Sequence, residues 1–119
     1  MEKEEDFFGK CPYVTSQKLI SGKWFILIIY RLSGGVLRFG ELQRKIPGIT
    51  QATLTKQLRT LESYGLVKRC VYPEVPPKVE YSLTEMGMAF LPVLDQIKIW
   101  GDKYIDAVNA GTVKAQEQK

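Results

Sequence analysis

Residues 50–64 read TQATLTKQLRTLESY, and the interpretation of the whole chain turns on them. Leu54, Leu58 and Leu61 recur at the four- and three-residue spacing of a single helix face. Ala52, Lys56, Arg59, Thr60 and Ser63 lie on the other side, with Gln51, Thr53 and Thr55 on the flanks. Thr50 is placed to cap the helix, because its hydroxyl can accept a bond from a free backbone N–H one turn on. Gly65 is placed to end it, in the left-handed conformation that glycine tolerates. Small side chains near the N-terminus let the backbone approach another molecule, and the Lys and Arg one turn later reach its phosphates. A helix in the major groove of DNA needs that arrangement. An ordinary amphipathic helix with a solvated polar face would look similar, so the flanking sequence decides.

Upstream, residues 39–46 read FGELQRKI and predict a two-turn helix with Phe39, Leu42 and Ile46 facing inward. Pro47-Gly48 makes a tight turn and Ile49 packs before Thr50. Two short helices joined by such a turn, the second more polar outside, predict a helix-turn-helix over residues 39–64. Downstream, Leu66 to Tyr72 reads as a strand with Val67 and Val71 on one face, and Cys70 on the side of Lys68 and Tyr72. Val79, Tyr81 and Leu83 alternate with Lys78, Glu80 and Ser82 in a second strand. Between them, Pro73-Glu74-Val75-Pro76-Pro77 is a stiff hairpin tip, since proline donates nothing to a ladder. A hairpin over residues 66–83 directly after a helix-turn-helix is a wing. Lys68, Arg69 and Lys78 give it cations suited to phosphate or the minor groove, and Glu74 at the tip opposes them.

Before the motif, residues 1–10 form a polar lead interrupted by the adjacent aromatics Phe7 and Phe8, which are expected to dock on the domain or on a second subunit. Pro12 suits the first position of a helix, which places Cys11 at its N-cap. There the positive end of the helix dipole and neighbouring Lys10 favour a reactive thiol, an inert part-buried Cys being the alternative. Val14 to Ile20 continues that helix to a break at Ser21-Gly22. Lys23 to Leu32 is apolar nearly all round and predicts the buried centre of a small helical domain. Ser33-Gly34-Gly35 ends it, and Val36-Leu37-Arg38 can add a short strand. After the wing, Thr84 caps a final helix over residues 84–108. It carries Met86, Phe90, Val93, Ile97, Trp100, Tyr104 and Val108 as one stripe. Pro92 should kink or divide this helix. The stripe is more apolar surface than so small a domain covers, which predicts a twofold dimer with Phe7, Phe8, Phe90, Ile97, Trp100 and Tyr104 as candidate interface residues. Packing of the stripe on its own domain is the alternative. The tail over residues 111–119 is polar and expected to fray.

The 119 residues suit one domain over residues 1–119, with the formal net charge of +4 unevenly spread. Residues 11–83 hold eleven Lys and Arg against four acids, whereas residues 1–10 and 84–119 are each net acidic. The basic field thus coincides with the motif and favours a polyanion. With no His, the chain has no His-based acid–base chemistry, nucleophile activation or metal ligation, and two Cys nearly sixty residues apart make no zinc motif. Neither an enzyme nor a metal or other cofactor is expected. The acidic N-terminus does not read as a secretory signal, and the apolar run Trp24 to Tyr30 is too short for a bilayer. A cytoplasmic protein with reduced thiols and no membrane contact is expected.

Several segments also resemble the HxlR-type bacterial transcription regulators, relatives of the MarR winged-helix group. They are CP at 11–12, GKW at 22–24, RFGEL at 38–42, PGIT at 47–50, LTKQLRTLE at 54–62, YPEVPPKVEYSLTEMG at 72–87 and PVL…W at 92–100. The resemblance spans roughly Cys11 to Asp102. It implies a mostly α fold with a small β-hairpin wing (α+β), a winged helix-turn-helix with N- and C-terminal dimerisation helices. It also implies a homodimer that binds double-stranded DNA at a palindromic operator. In several members the N-terminal Cys senses oxidants or electrophiles, and Cys11 stands at that position. No family role transfers to Cys70.

The expected function is a dimeric regulator of transcription, a repressor in preference to an activator. Gln51 and Thr53, then Thr55, are candidates for base edges. Thr50 belongs to the DNA-binding set as the cap. Lys56 and Arg59 are candidates for phosphate, with guanine an option for Arg59, and Arg38 and Lys78 for the backbone. The alternatives are a winged-helix module that binds protein through the aromatic stripe, or a regulator controlled by a small ligand. Such a ligand would sit between the dimerisation helices and the winged domain. The sequence names no effector.

Overall fold

A computed structural model describes residues 7–115 of the chain. The elements run α1 (Pro12–Ile20), α2 (Phe25–Leu32), β1 (Leu37–Arg38), α3 (Phe39–Lys45), α4 (Gln51–Ser63), β2 (Val67–Tyr72), β3 (Lys78–Leu83), α5 (Glu85–Ala89) and α6 (Leu91–Asn109). They fall into two compact units, Met1–Ala89 and Phe90–Lys119.

The first unit holds the core. Phe25, Ile28, Ile29 and Leu32 of α2 are buried together with Leu42, Ile46, Ile49, Leu54, Leu58, Leu61, Leu66 and Val67. The three leucines of α4 are the predicted stripe, and each contributes about 2 kcal/mol by leaving water. Phe25, Ile28, Ile29 and Leu32 make α2 the buried centre that the sequence predicts, though not on every side. Leu27 is 43% exposed and Tyr30 53% exposed, so α2 has a second apolar face that the described residues leave open. Apolar composition shows that a helix will be covered, not that its own domain covers it.

Local chemistry fixes the ends of α4. The Thr53 N–H donates to the Thr50 hydroxyl at 3.1 Å, the predicted cap. At the other end Gly65 adopts φ +77, its N–H donates to the Glu62 carbonyl, and the Leu66 N–H donates to the Leu61 carbonyl, both at 3.0 Å. These are the two reversed bonds of a Schellman motif.

The sheet is antiparallel in the order β1-β3-β2. Leu37 pairs with Tyr81, Arg38 with Glu80, Arg69 with Tyr81, Cys70 with Glu80 and Tyr72 with Lys78. Strand alternation then puts Val67, Arg69, Val71, Val79, Tyr81, Leu83 and Leu37 on one face. Arg38, Lys68, Cys70, Tyr72, Lys78, Glu80 and Ser82 lie on the other. Val67 is buried, whereas Val71, four pairs nearer the tip, is 53% exposed. The hairpin therefore projects past the core it grows from. Residues 73–77 form no strand, as their three prolines require.

Thr84 joins the wing to α5. Its hydroxyl donates to the Gly65 carbonyl at 2.6 Å, its N–H donates to the Leu66 carbonyl at 3.1 Å, and its hydroxyl accepts the Gly87 N–H at 3.1 Å. Gly87 is buried so close to this joint that a Cβ there would overlap the Leu66 carbonyl oxygen.

The helix expected over 84–108 is divided, one of the two outcomes predicted from Pro92, into α5 and α6. The break falls at Phe90, and Pro92 occupies the first turn of α6, where its missing N–H costs nothing. The second unit is α6 with its cap, and none of the helix's residues is buried. Trp100 and Tyr104 stack at 5.6 Å between ring centroids, and both are exposed, with Ile99 and Ile105 beside them in sequence also open. Phe90 and Ile97 are half-buried. The tail starts tied rather than frayed, since the Thr112 and Val113 N–H groups donate to the Ala107 carbonyl. Residues 116–119, like 1–6 of the N-terminal lead, lie outside the described residues.

Candidate nucleic-acid interface

The outward face of α4 forms an open hollow lined by Thr50, Gln51, Ala52, Thr55, Lys56, Arg59 and Thr60. Gln51 and Lys56 are exposed and Thr55 half-buried. The hollow has the character required of a groove-reading surface: small side chains at the N-terminal end, an amide with donors and an acceptor, and two cations further along. Among the described residues no ion pair holds Lys56, Arg59 or Arg38. Their charges are free for an external anion.

The hydroxyls are less free than the sequence suggests. Thr53 is half-buried and its oxygen accepts a bond from the Thr50 hydroxyl at 2.9 Å, so both threonines take part in the cap. The Thr55 hydroxyl donates to the Gln51 carbonyl at 2.9 Å and the Thr60 hydroxyl to the Lys56 carbonyl at 3.0 Å. Each of these keeps acceptor capacity but has committed its proton to the helix. Among the described residues, Gln51 is the side chain of the first turn whose donors and acceptor all remain open.

The other candidates are dispersed. Arg38 caps α3, its backbone N–H donating to Glu41 Oε1 at 2.8 Å, and its exposed side chain lies on the sheet face away from Val67 and Tyr81. Lys78 is on that same face but engaged: its ammonium lies 3.6 Å from Glu74 and 4.4 Å from the centroid of the Tyr72 ring. To reach a phosphate it must exchange these partners. Hydrogen bonding to the Cys70 and Glu80 side chains pushes Tyr72 up to about 12. Cys70, Tyr72, Lys78 and Glu80 are thus one polar patch on the wing, not separate residues.

Sequence reasoning assigned Arg69 no distinct place among the wing cations and passed over Glu62 and Tyr81. Arg69 faces α4, where its Nε lies 3.7 Å from Glu62 Oε2. Tyr81 stands between α3 and α4, with its ring 6.5 Å from that of Phe39. Burial pushes the Tyr81 phenol up; Arg69 and Arg59 pull it down, and Glu62 adds to the rise. The signal in the sequence was alternation: Arg69 and Tyr81 share parity with the inward Val67 and Leu83.

Cys11 is the N-cap of α1, as the Cys-Pro pair predicts, and is half-buried as a free thiol. Its N–H and that of Lys10 donate to the Phe7 carbonyl, and the Gly9 N–H donates to the Thr15 hydroxyl. Residues 7–10 of the lead are therefore folded against the start of α1, with Phe7 and Phe8 still exposed. No helix among the described residues is long and apolar enough to cross a membrane. None of their His, Cys, Asp and Glu groups is arranged to hold a metal ion.

The sequence and the fold are similar to those of known proteins. The chain is 46% identical over 109 residues to the HTH-type transcriptional regulator YdeP of Bacillus subtilis, covering 92% of this chain and 85% of that one. It superposes on the redox regulator HypR in its reduced form with a TM-score of 0.79 at 45% identity, covering 84% of this chain and 99% of that one. Diamide-treated YodB from B. subtilis matches with a TM-score of 0.67 at 40% identity, over 79% of this chain and 94% of that one. Residues 19–109 match the model of the HxlR-like helix-turn-helix family. A winged helix-turn-helix whose relatives are regulators, and not enzymes, is the fold seen here, and the chain belongs to the HxlR-like helix-turn-helix family of transcriptional regulators.

Proposed function

We propose that the chain is a homodimeric repressor that places α4 in the major groove of a palindromic operator and is released through chemistry at Cys11. The observation that carries the DNA reading is the outward face of α4: a free amide at Gln51 beside unpaired Lys56 and Arg59. Gln51 reads base edges, with Thr53 and Thr55 as acceptors, while Lys56 and Arg59 neutralise phosphates. Arg38 grips the flanking backbone, and Lys78 does so after leaving Glu74. The winged body and α6 act as one functional domain. Support for the dimer comes from α6, which buries none of its residues and leaves Trp100 and Tyr104 open. A second copy covers that surface, in an interface that also draws on Phe7, Phe8, Phe90 and Ile97, and spaces two α4 helices for two half-sites.

The trigger reading is supported by the position of Cys11 at a helix N-terminus and by kinship with a redox regulator and with a regulator captured after diamide treatment. An adduct or disulfide at Cys11 biases the dimer toward a geometry with the wrong half-site spacing. The test is a titration against DNA upstream of this gene and of its divergent neighbour, at two salt concentrations, with and without diamide. Steep salt dependence and a preference for one palindrome, lost on oxidation and retained in Cys11→Ser, are expected. A Cys11→Ser protein that still releases DNA under diamide would remove the thiol from the mechanism.

A further inference from the structure

A second cavity, of about 120 Å3, lies between α4 and the sheet and is lined by Thr55, Leu58, Arg59, Glu62, Arg69 and Tyr81. Two guanidinium groups from different elements therefore share one small hollow with a single carboxylate and a phenol. The carboxylate holds its partner loosely. The Glu62–Arg69 approach of 3.7 Å is too long for a hydrogen bond, and both side chains are close to half exposed. Such a pair contributes little and exchanges readily. Arg59 has no ion pair among the described residues. The Tyr81 ring is braced by Phe39, and its burial keeps the hydroxyl protonated and able to donate. The hollow thus offers two planar cationic forks and one O–H donor around a space that no group of the described chain fills.

We propose that this hollow seats one phosphodiester of the DNA backbone, held by Arg59 and Arg69 with a third bond from the Tyr81 hydroxyl. Glu62 keeps Arg69 pointed at the site until DNA arrives. The inference rests on α4 being the DNA-reading helix. Arg59 lines both this hollow and the reading face, so the two are continuous along α4. A helix in the major groove passes the phosphates that flank it as it leaves the bases, and Arg grips a tetrahedral anion by two parallel bonds. Glu62 and Arg69 are then opposed in function although they form a pair.

That opposition makes the proposal testable with the full chain, the upstream duplex and a mixed-sequence duplex over a series of salt concentrations. Arg69→Gln should lose about tenfold in affinity for both duplexes and lower the salt slope by about one unit. Glu62→Gln should bind about threefold tighter with an unchanged slope, since only the competing carboxylate is gone. Tyr81→Phe should lose a few-fold. If Arg69→Gln and Glu62→Gln weaken binding alike, the pair merely braces α4 and the phosphate assignment falls. Folding is controlled by the DNA itself: scanning the duplex with neutral methylphosphonate linkages should reveal a position that weakens the wild type and not Arg69→Gln. If no such position exists while inorganic phosphate at matched ionic strength raises the Tm of the wild type alone, the hollow takes a small anion and the DNA assignment is overturned. A wild type with no affinity for any duplex would instead overturn the DNA-binding reading, a result distinct from either.

Discussion

The helices α4 and α6 carry the same kind of pattern and end in opposite circumstances. Each repeats apolar residues at three- and four-residue spacing. In α4 the stripe is Leu54, Leu58 and Leu61, all buried against the chain's own core. In α6 nineteen residues bury none, and Trp100 is 66% exposed. The difference lies in side-chain size as well as position. Leucines fill a core that is closed within the domain, whereas broad aromatics with a polar edge tolerate contact with water. A periodic apolar stripe therefore reports that a surface will be covered, and its chemistry hints at whether the cover is the same molecule.

The contrast breaks most sharply in the core. Leu58→Ala should cost about 2–5 kcal/mol in urea unfolding, at every protein concentration, because the cavity it leaves is internal to one chain. Trp100→Asp should act differently. It should leave the unfolding of the winged body intact but raise the dimer dissociation constant by more than about tenfold, read by sedimentation, and abolish the concentration dependence of Tm. Equal stability loss at all concentrations from Trp100→Asp would make α6 an ordinary core helix. Thr50→Ala should cost about 1 kcal/mol, with Thr53 losing its partner in the same step. Hydrogen exchange should place that loss in the first turn of α4. Glu74→Gln should have the smallest effect and the opposite sign. By freeing Lys78 it should tighten DNA binding about two- to fivefold in low salt, and the gain should vanish as salt rises.

Where the sequence was sufficient, the signals were local. The Thr50 cap, the Pro47-Gly48 turn, the Gly65 stop, the proline tip and the Cys11-Pro12 start depend on a few adjacent residues and stand where they were expected. What could not be read depended on register or on a second surface. Lys78 looked like a free wing cation until its pairing with Tyr72 and its approach to Glu74 were known. Arg69 already differed from its neighbour Lys68 by strand alternation, but its pairing with Tyr81 and its approach to Glu62 needed the ladder. Thr53 looked like a hydroxyl with no partner, although its oxygen accepts the Thr50 proton in the cap. The apolarity of α2 announced its central place in the core, but not that Leu27 and Tyr30 stand open on its other side.

The joint at Thr84 has a mechanical consequence. One residue bonds to Gly65 and Leu66 at the end of α4 and to Gly87 in α5. Hydrogen bonds are short and directional where apolar packing is broad and forgiving. Within the first unit, the end of α4, the wing and α5 are thus tied by three directional bonds that meet at one residue. Thr84 works as a pin that fixes the angle at which the wing, α5 and the end of α4 meet.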